Sequence, residues 1–393
     1  MKILKRILRL LCSFLILGMI CHISPLPGQE RQKQDQISII DGNGQTMQVN
    51  LPVERIVVEY TDNAELVRLL NQTDKVVGVA GYDYIFQKCR RQFPEFMLLP
   101  SVGYPWAMDY EAVFGLDPDL VLTFTSQTRD KQANLPGIVV LFLGLYHPDL
   151  AFPETSAYVR GIRNLGRLLN AEDRAQAYLS WYKGVLNTIA DRTGSLKQGQ
   201  KPRVLISSYP RCNSAGSSYC AYSAKDTLSQ ASSLAGGQNL VDLLPVTNGV
   251  SLPVDSEWVI RENPDIILLH AVDDIQASGY ETDEALWLER GLAEFMARPE
   301  LIGVKAIKDK KVFVLDGHFR NDASGGALAA AYLAVLFHPD LFKDIDPEAL
   351  HREYLEMQGL AYDLDEHGIF FFPPLAREKG LAGIPNRYPR SIK

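Results

Sequence analysis

The sequence predicts an α/β protein of two lobes, each with a parallel-rich sheet flanked by helices, the two joined by a single long α-helix. Three observations carry this. Short runs of consecutive aliphatic residues alternate with segments of helical period, the pattern of strands buried on both faces. The alternation stops across residues 153–194 and restarts beyond them. One phrase also occurs twice: "DYEAVFGLDPDLVL" begins at Asp109 and "DSEWVIRENPDIILL" at Asp255, which sets Glu111 and Glu257 146 positions apart.

A chain of 393 residues, 46% hydrophobic and 22% charged, has the apolar surface for about two domains. Its first 28 residues differ from the rest. Lys2, Lys5, Arg6 and Arg9 precede the apolar "LLCSFLILGMI", then come "SPLPG" and a polar stretch, the order of a secretory signal. The apolar part, residues 10–23, is too short for the roughly 20 residues of a spanning helix. Cleavage near Gly28 is therefore expected, and the protein is read as exported to the periplasm. Lipid attachment at Cys21 is the alternative, disfavoured by bulky Met19 and Ile20 before it. Past the signal, 36 basic residues face 47 acids. That balance speaks against nucleic acid and anionic membrane as partners.

The elements follow in order. "ISIIDGNGQTMQVN" reads as two alternating strands around an Asp-Gly-Asn-Gly turn. The lobe at 37–152 continues with "RIVVEY", the helix "NAELVRLLN", "KVVGVAG", "DLVLTF" and "GIVVLFL". In the linker, 153–194, Val159, Ile162, Leu165 and Leu169 keep helical spacing, and Ala175, Leu179, Tyr182, Leu186 and Ile189 repeat at four, three, four, three. Asn170 in "NAED" is placed to recap this helix midway. The second lobe, 195–345, runs through "PRVLISSY", "DTLSQASSLAGG", "DIILLHA" and "KVFVLDG". Residues 346–393 add a capped amphipathic helix, the apolar "IFFFPP" and a basic tail expected to be mobile. Three cysteines follow the signal. Cys212 and Cys220, seven residues between them, form either a disulfide or part of a metal site; the second reading lacks nearby His, and Cys89 has no evident partner.

In both copies of the repeated phrase a polar cap (Asp109; Asp255 or Ser256) puts the Glu in the first turn of a helix that Pro-Asp ends before a strand. A carboxylate there has a purely local use, since the helix dipole favours it by about 0.3–1 kcal/mol. A wider pattern adds to this. "GQTMQVNLPVERIVVEYTDNAELVRLLNQTDKVVGVAGY", "PSVGY", "MDYEAVFGLDPDLVL", "DTLSQASSLAGGQNLV", "SEWVIRENPDIILL" and "KAIKDKKVFVLDG" resemble, in order, the substrate-binding proteins of ABC importers for iron complexes, siderophores, haem and cobalamin. The resemblance spans roughly residues 37–359. It implies a ligand held between two lobes, a monomer, and a permease dimer with its ATPase as partner. It also implies that Glu111 and Glu257, one per lobe, dock onto Arg residues of the two permease subunits.

In such lobes ligands meet the loops at the carboxyl ends of strands. That rule selects Tyr60, Tyr82, Tyr84, Tyr104, Trp106, Arg129, Tyr146 and His147 in the first lobe. In the second it selects Tyr209, Arg211, Tyr219, Tyr222, His270, His318, Phe319 and Arg320. Rings and guanidinium groups suit a large, flat, partly anionic chelate. No cofactor is expected beyond that ligand; for haem, Tyr or His would supply an axial bond.

Two other readings exist. A bare-metal site would need distant His residues to converge, because the seven in the chain form no close pair. An exported enzyme acting on a chelate lacks its usual marks, a Gly-x-Ser-x-Gly elbow or a His-Glu-x-x-His helix. "SLAGGQN" follows a helix rather than a strand and reads as a helix C-cap, and His338 in "LFHPDLF" reads as structural.

Overall fold

The computed structural model describes residues 35–81, 86–146, 148–209, 218–244, 249–271, 278–377 and 380–382. The expected signal lies outside them, as does the basic tail apart from Arg377 and residues 380–382.

A hairpin opens the fold: β1 (Gln36–Ile40) pairs antiparallel with β2 (Thr46–Asn50), and Asp41 fixes the turn by accepting the Asn43 and Gln45 N–H groups at 2.9 and 2.7 Å. Next come β3 (Ile56–Glu59), helix α1 (Tyr60–Leu69) and β4 (Val76–Ala80). A two-residue hairpin, β5 (Gly103–Tyr104) with β6 (Ala107–Met108), leads into α2 (Tyr110–Leu116), β7 (Leu120–Thr123), α3 (Thr128–Asn134) and β8 (Val139–Phe142). The sheet order is β4-β3-β7-β8, all parallel. Every residue of β3 is buried, which is why its sequence shows no alternation.

The 153–194 stretch is two helices, α4 (Ala157–Leu168) and α5 (Glu172–Thr193), folded back on each other. Tyr158 and Tyr178 meet hydroxyl to hydroxyl at 2.5 Å, and the Tyr158 and Tyr182 rings lie 4.9 Å apart. Asn170 does not cap the second helix as the sequence suggested. It takes a left-handed φ of 52°, the Ala171 N–H donates to the Gly166 carbonyl at 2.7 Å, and α4 ends there in a Schellman turn. Helix α4 belongs with the first lobe, where Asn164 donates to the Ile40 carbonyl. The long helix joining the lobes is α5 alone, 22 residues or roughly 33 Å. Its stripe Ala175, Leu179, Tyr182, Leu186 and Ile189 is buried, as the spacing predicted.

The second lobe contains β9 (Arg203–Tyr209), β10 (Ser218–Tyr222), α6 (Thr227–Leu234), β11 (Gln238–Asn239), β12 (Ser251–Asp255), α7 (Ser256–Glu262) and β13 (Ile266–Ala271). It continues with α8 (Leu286–Met296), α9 (Lys305–Lys308), β14 (Val312–Leu315), α10 (His318–Asn321) and α11 (Ala327–Phe337). The chain then adds α12 (Pro347–Gln358) and β15 (Phe371–Phe372). Its sheet runs β12-β10-β9-β13-β14-β15, with β11 beside β9. The centre is parallel, whereas the pairings of β9 with β10, β10 with β12 and β14 with β15 toward the edges are antiparallel. "IFFFPP" thus supplies an edge strand that its apolar run did not announce. Helix α11 is apolar all round and lies in the core under α5 and α6. Gly325 before it cannot be replaced without collision, because a Cβ there would come within 2.5 Å of the Tyr158 ring.

Candidate functional site

The first lobe's strands end in an aromatic wall. Tyr60, the residue after β3, holds a left-handed φ of 67°, a costly conformation for a bulky side chain. Its ring stacks on Phe124 at 4.2 Å and 23°. Phe124 in turn meets Trp106 edge-on at 6.3 Å and Tyr146 at 5.1 Å. Trp106, carried in the turn between β5 and β6, is 64% exposed. Trp106, Phe124 and Tyr146 line a cavity of about 420 Å³ that also touches Gly42 and Asn43.

A buried ion pair holds this wall from beneath. The Glu59 carboxylate, at the end of β3, accepts Lys131 Nζ at 2.6 and 2.7 Å, the Thr123 hydroxyl at 2.8 Å and the Phe124 N–H at 2.9 Å. Burial pushes the Glu59 carboxyl up and the Lys131 ammonium pulls it back. One side chain thereby ties β3, β7 and α3 together and sets the position of Phe124.

The second lobe faces the wall with Arg320 of α10. Its guanidinium lies 5.2 Å from the Tyr146 ring and 4.9 Å from the Tyr222 ring. Its Nε donates to Asp226 at 2.5 Å. Asp226 serves twice, because its other oxygen caps α6 through the Leu228 N–H at 2.9 Å. Burial works against the charge of Arg320, but Asp226 and the two tyrosines raise its pKa above the ordinary value. The contact crosses the lobes: Tyr146 comes from the first, and its carbonyl accepts the Thr227 hydroxyl of α6 at 3.4 Å.

Tyr60, Trp106, Tyr146, Tyr222 and Arg320 of the sequence-selected residues are thus brought together. His270 is not on the cleft surface: it is buried behind Tyr222, whose hydroxyl lies 2.8 Å from its Nδ1, and burial followed by the Arg320 charge lowers its pKa to about 3. His318 is engaged by Asp316 at 2.5 Å and edge-on by Tyr280. Burial opposes a charge on that imidazole, and the Asp316 carboxylate overrides it. Tyr219 and Phe319 are core residues, packed on Phe295 and Tyr332 respectively. Tyr104 is exposed on β5, and Arg129 is exposed on α3 with no ion-pair partner among the described residues. Tyr82, Tyr84, His147 and Arg211 lie outside the described residues, as does the side chain of Tyr209. His338 is structural, its Nε2 lying 3.2 Å from the Gly236 carbonyl.

Phe124, Lys131 and Asp226 escaped the sequence reading. The strand-end rule reaches Phe124 directly, since it closes "DLVLTF"; the pairing partners of Glu59 and Arg320 lie 72 and 94 positions away, where no local signal points. Cys220 is in a disulfide, while Cys212 lies outside the described residues and Cys89 is free and buried. Among the described residues no group of three or more His, Cys, Asp and Glu is placed to hold a metal ion.

The repeated phrase builds the same device in each lobe. Asp109 caps α2 through the Ala112 N–H at 3.0 Å, and Asp255 caps α7 through the Trp258 N–H at 2.7 Å. Both helices end in a left-handed residue, Asp117 (φ 46°) and Asn263 (φ 45°). The aspartate of each Pro-Asp then grips the strand beside it: Asp119 accepts the Arg55 N–H at 2.9 Å and Asp265 the Arg203 N–H at 2.8 Å. Each of those arginines returns a guanidinium bond to the helix end, Arg55 to the Leu116 carbonyl at 2.6 Å and Arg203 to the Glu262 carbonyl at 2.8 Å. Glu111 and Glu257 take no part: both are exposed, and among the described residues neither has a hydrogen bond or an ion pair.

Two α/β lobes braced by one helix, with an aromatic-lined cavity at the strand ends of the first beside Arg320 of the second, define the architecture of a two-lobed binding protein. The sequence profile of the periplasmic binding proteins matches residues 56–318, and the chain belongs to that family. The TroA-like periplasmic binding protein FepB from Veillonella parvula is 22% identical, with a TM-score of 0.68 over 86% of this chain and 99% of that one. CeuE of Helicobacter pylori, solved as a Ni-His complex, is 21% identical, with a TM-score of 0.61 over 82% and 95%. MolA, the molybdate-binding protein of a Haemophilus influenzae ABC transporter, is 18% identical, with a TM-score of 0.65 over 83% and 99%. Likeness at these identities is likeness of fold. No curated protein sequence matches the chain. Members of the family are extracytoplasmic binding proteins rather than enzymes. Among the described residues, no helix is long and apolar enough to cross a membrane.

Proposed function

We propose that the protein captures a metal chelate, a ferric siderophore, haem or corrinoid, in the cleft between its lobes. It then delivers the chelate to an ABC permease dimer driven by its ATPase, with Glu111 and Glu257 as the docking acids. The observation that carries this reading is the set Tyr60, Phe124, Trp106 and Tyr146 opposite Arg320. Flat faces bury the apolar surface of a chelate, and a guanidinium meets its oxygens. The two partnerless acids support the docking half, because exposed carboxylates steer an encounter with a cationic partner more than they tighten it.

Trp106 makes the test direct. Purified protein is titrated by tryptophan fluorescence with ferric siderophores, haemin, cobalamin, molybdate and free Ni(II). One chelate is expected to quench saturably, and Trp106→Phe to abolish most of the quench. A response to the free ions alone would overturn the reading.

A further inference from the structure

We infer that each docking helix meets the permease through a mixed patch, the acid together with a bulky apolar side chain one turn along: Glu111 with Phe114, and Glu257 with Ile260. This rests on the docking reading above and adds the chemistry of the partner, which is a pair of like sites, each a cation beside an apolar depression.

Phe114 and Ile260 stand 146 positions apart, in the register of the two acids. Residues three apart share a helix face, so each lies beside its Glu. Their exposures match at 46% and 45%. Among the described residues neither packs against the cores under its helix, where Val113 and Val259 point instead. A single exposed apolar side chain means little. Here the class of residue is kept at equivalent places, as it is for the core residues Val113 and Val259, while Ala112 against Trp258 and Gly115 against Arg261 diverge. The caps, the left-handed stops and the Asp-Arg clasps have internal uses and account for the rest of the phrase. Beyond the helix-dipole effect on the acid, neither the acid side chain nor that of its apolar neighbour makes such an internal contact among the described residues.

The physical roles divide accordingly. Exposed ion pairs contribute about 0–1 kcal/mol and weaken with salt, so two of them orient the encounter without holding it. Burying half-exposed Phe and Ile side chains adds a salt-resistant term that slows dissociation. The partner is a membrane protein with two cationic sites, matching a chain with more acids than bases.

The test compares Phe114→Ser and Ile260→Ser, singly and together, with the Glu111→Gln, Glu257→Gln pair. Each is titrated against nanodiscs carrying the permease–ATPase complex whose ATP hydrolysis the wild-type protein stimulates, at low and high salt. Each Ser variant is expected to bind about tenfold more weakly, through faster dissociation, with its salt dependence kept. The Gln pair should associate more slowly and lose salt dependence. Phe114→Leu and Ile260→Val should bind as wild type, which separates apolar contact from a folding defect. If the Ser variants bind normally while the Gln pair fails, the apolar half is wrong and docking stands. If neither set changes binding, both fall.

Discussion

Arg320 of the second lobe lies 5.2 Å from the Tyr146 ring of the first, with its charge held by Asp226 at 2.5 Å. Asp226 is buried, so removing the cation strands a carboxylate. Arg320→Met is expected to cost about 3–5 kcal/mol of stability, the usual result of breaking a buried pair. Adding Asp226→Asn should recover most of it. Urea unfolding of the two variants decides the matter: equal losses would mean that the pair does not govern stability here.

Phe124 touches Tyr60, Trp106 and Tyr146 at once, and the Glu59 carboxylate fixes its backbone. Phe124→Ala is expected to weaken chelate binding about tenfold, the sum of lost stacking and lost apolar area. Tyr60→Gly should do the same while removing the left-handed strain that any Cβ incurs at a φ of 67°, so its melting temperature should fall less. Calorimetric titration with the chelate that quenches Trp106, alongside thermal melts, checks both.

How far the sequence went depends on the range of the interaction. The wholly buried β3 and the buried stripe of α5 were legible because period and composition are local properties. The antiparallel edges were not, since Phe371–Phe372 carries only two paired residues and its partner Leu315 stands far back in the chain. The sequence marked an interruption at Asn170 but not the fold-back, because Asn serves equally as an N-cap and as a left-handed helix stop and only the packing of α5 on α4 tells them apart. In the cleft, the strand-end rule located Tyr60, Tyr146 and Arg320, but it could not tell that His270 would lie behind Tyr222 or that Asp316 would occupy His318.

Asp62, in the first turn of α1, is buried against the Asn63 N–H and beside the carboxylates of Glu65 and Glu59. Burial, with those two charges adding to it, raises its pKa to about 8 from an ordinary 3.8. The folded chain therefore keeps a proton that the unfolded chain releases between about pH 4 and 8, and stability falls as pH rises through that window. The slope contributed is at most about 1.4 kcal/mol per pH unit and levels off above about pH 8. His270 and His351, both lowered to about 3 by burial, act with opposite sign below their ordinary 6.5. The clean measurement is the difference between wild type and Asp62→Asn in urea midpoints across this range. A flat difference would remove Asp62 as the source.

Glu65, on the first lobe's α1, reaches across to the second, accepting the Ala323 N–H at 2.7 Å, the Tyr354 hydroxyl at 2.9 Å and, from its own lobe, Gln92 at 2.5 Å. Tyr178 of α5 donates to the carbonyl of the same Ala323 at 2.5 Å. Separating the lobes would expose this fully buried carboxylate and leave its donors without an acceptor, at about 1–3 kcal/mol each. With the 22-residue helix lying alongside, closure on ligand should be small, a backbone change of about 1 Å or less. Solution scattering with and without the bound chelate should give nearly superimposable curves. Glu65→Ala is expected to loosen the wild-type arrangement and make compaction on binding measurable. A large compaction of the wild-type protein would show that the lobes part at this contact.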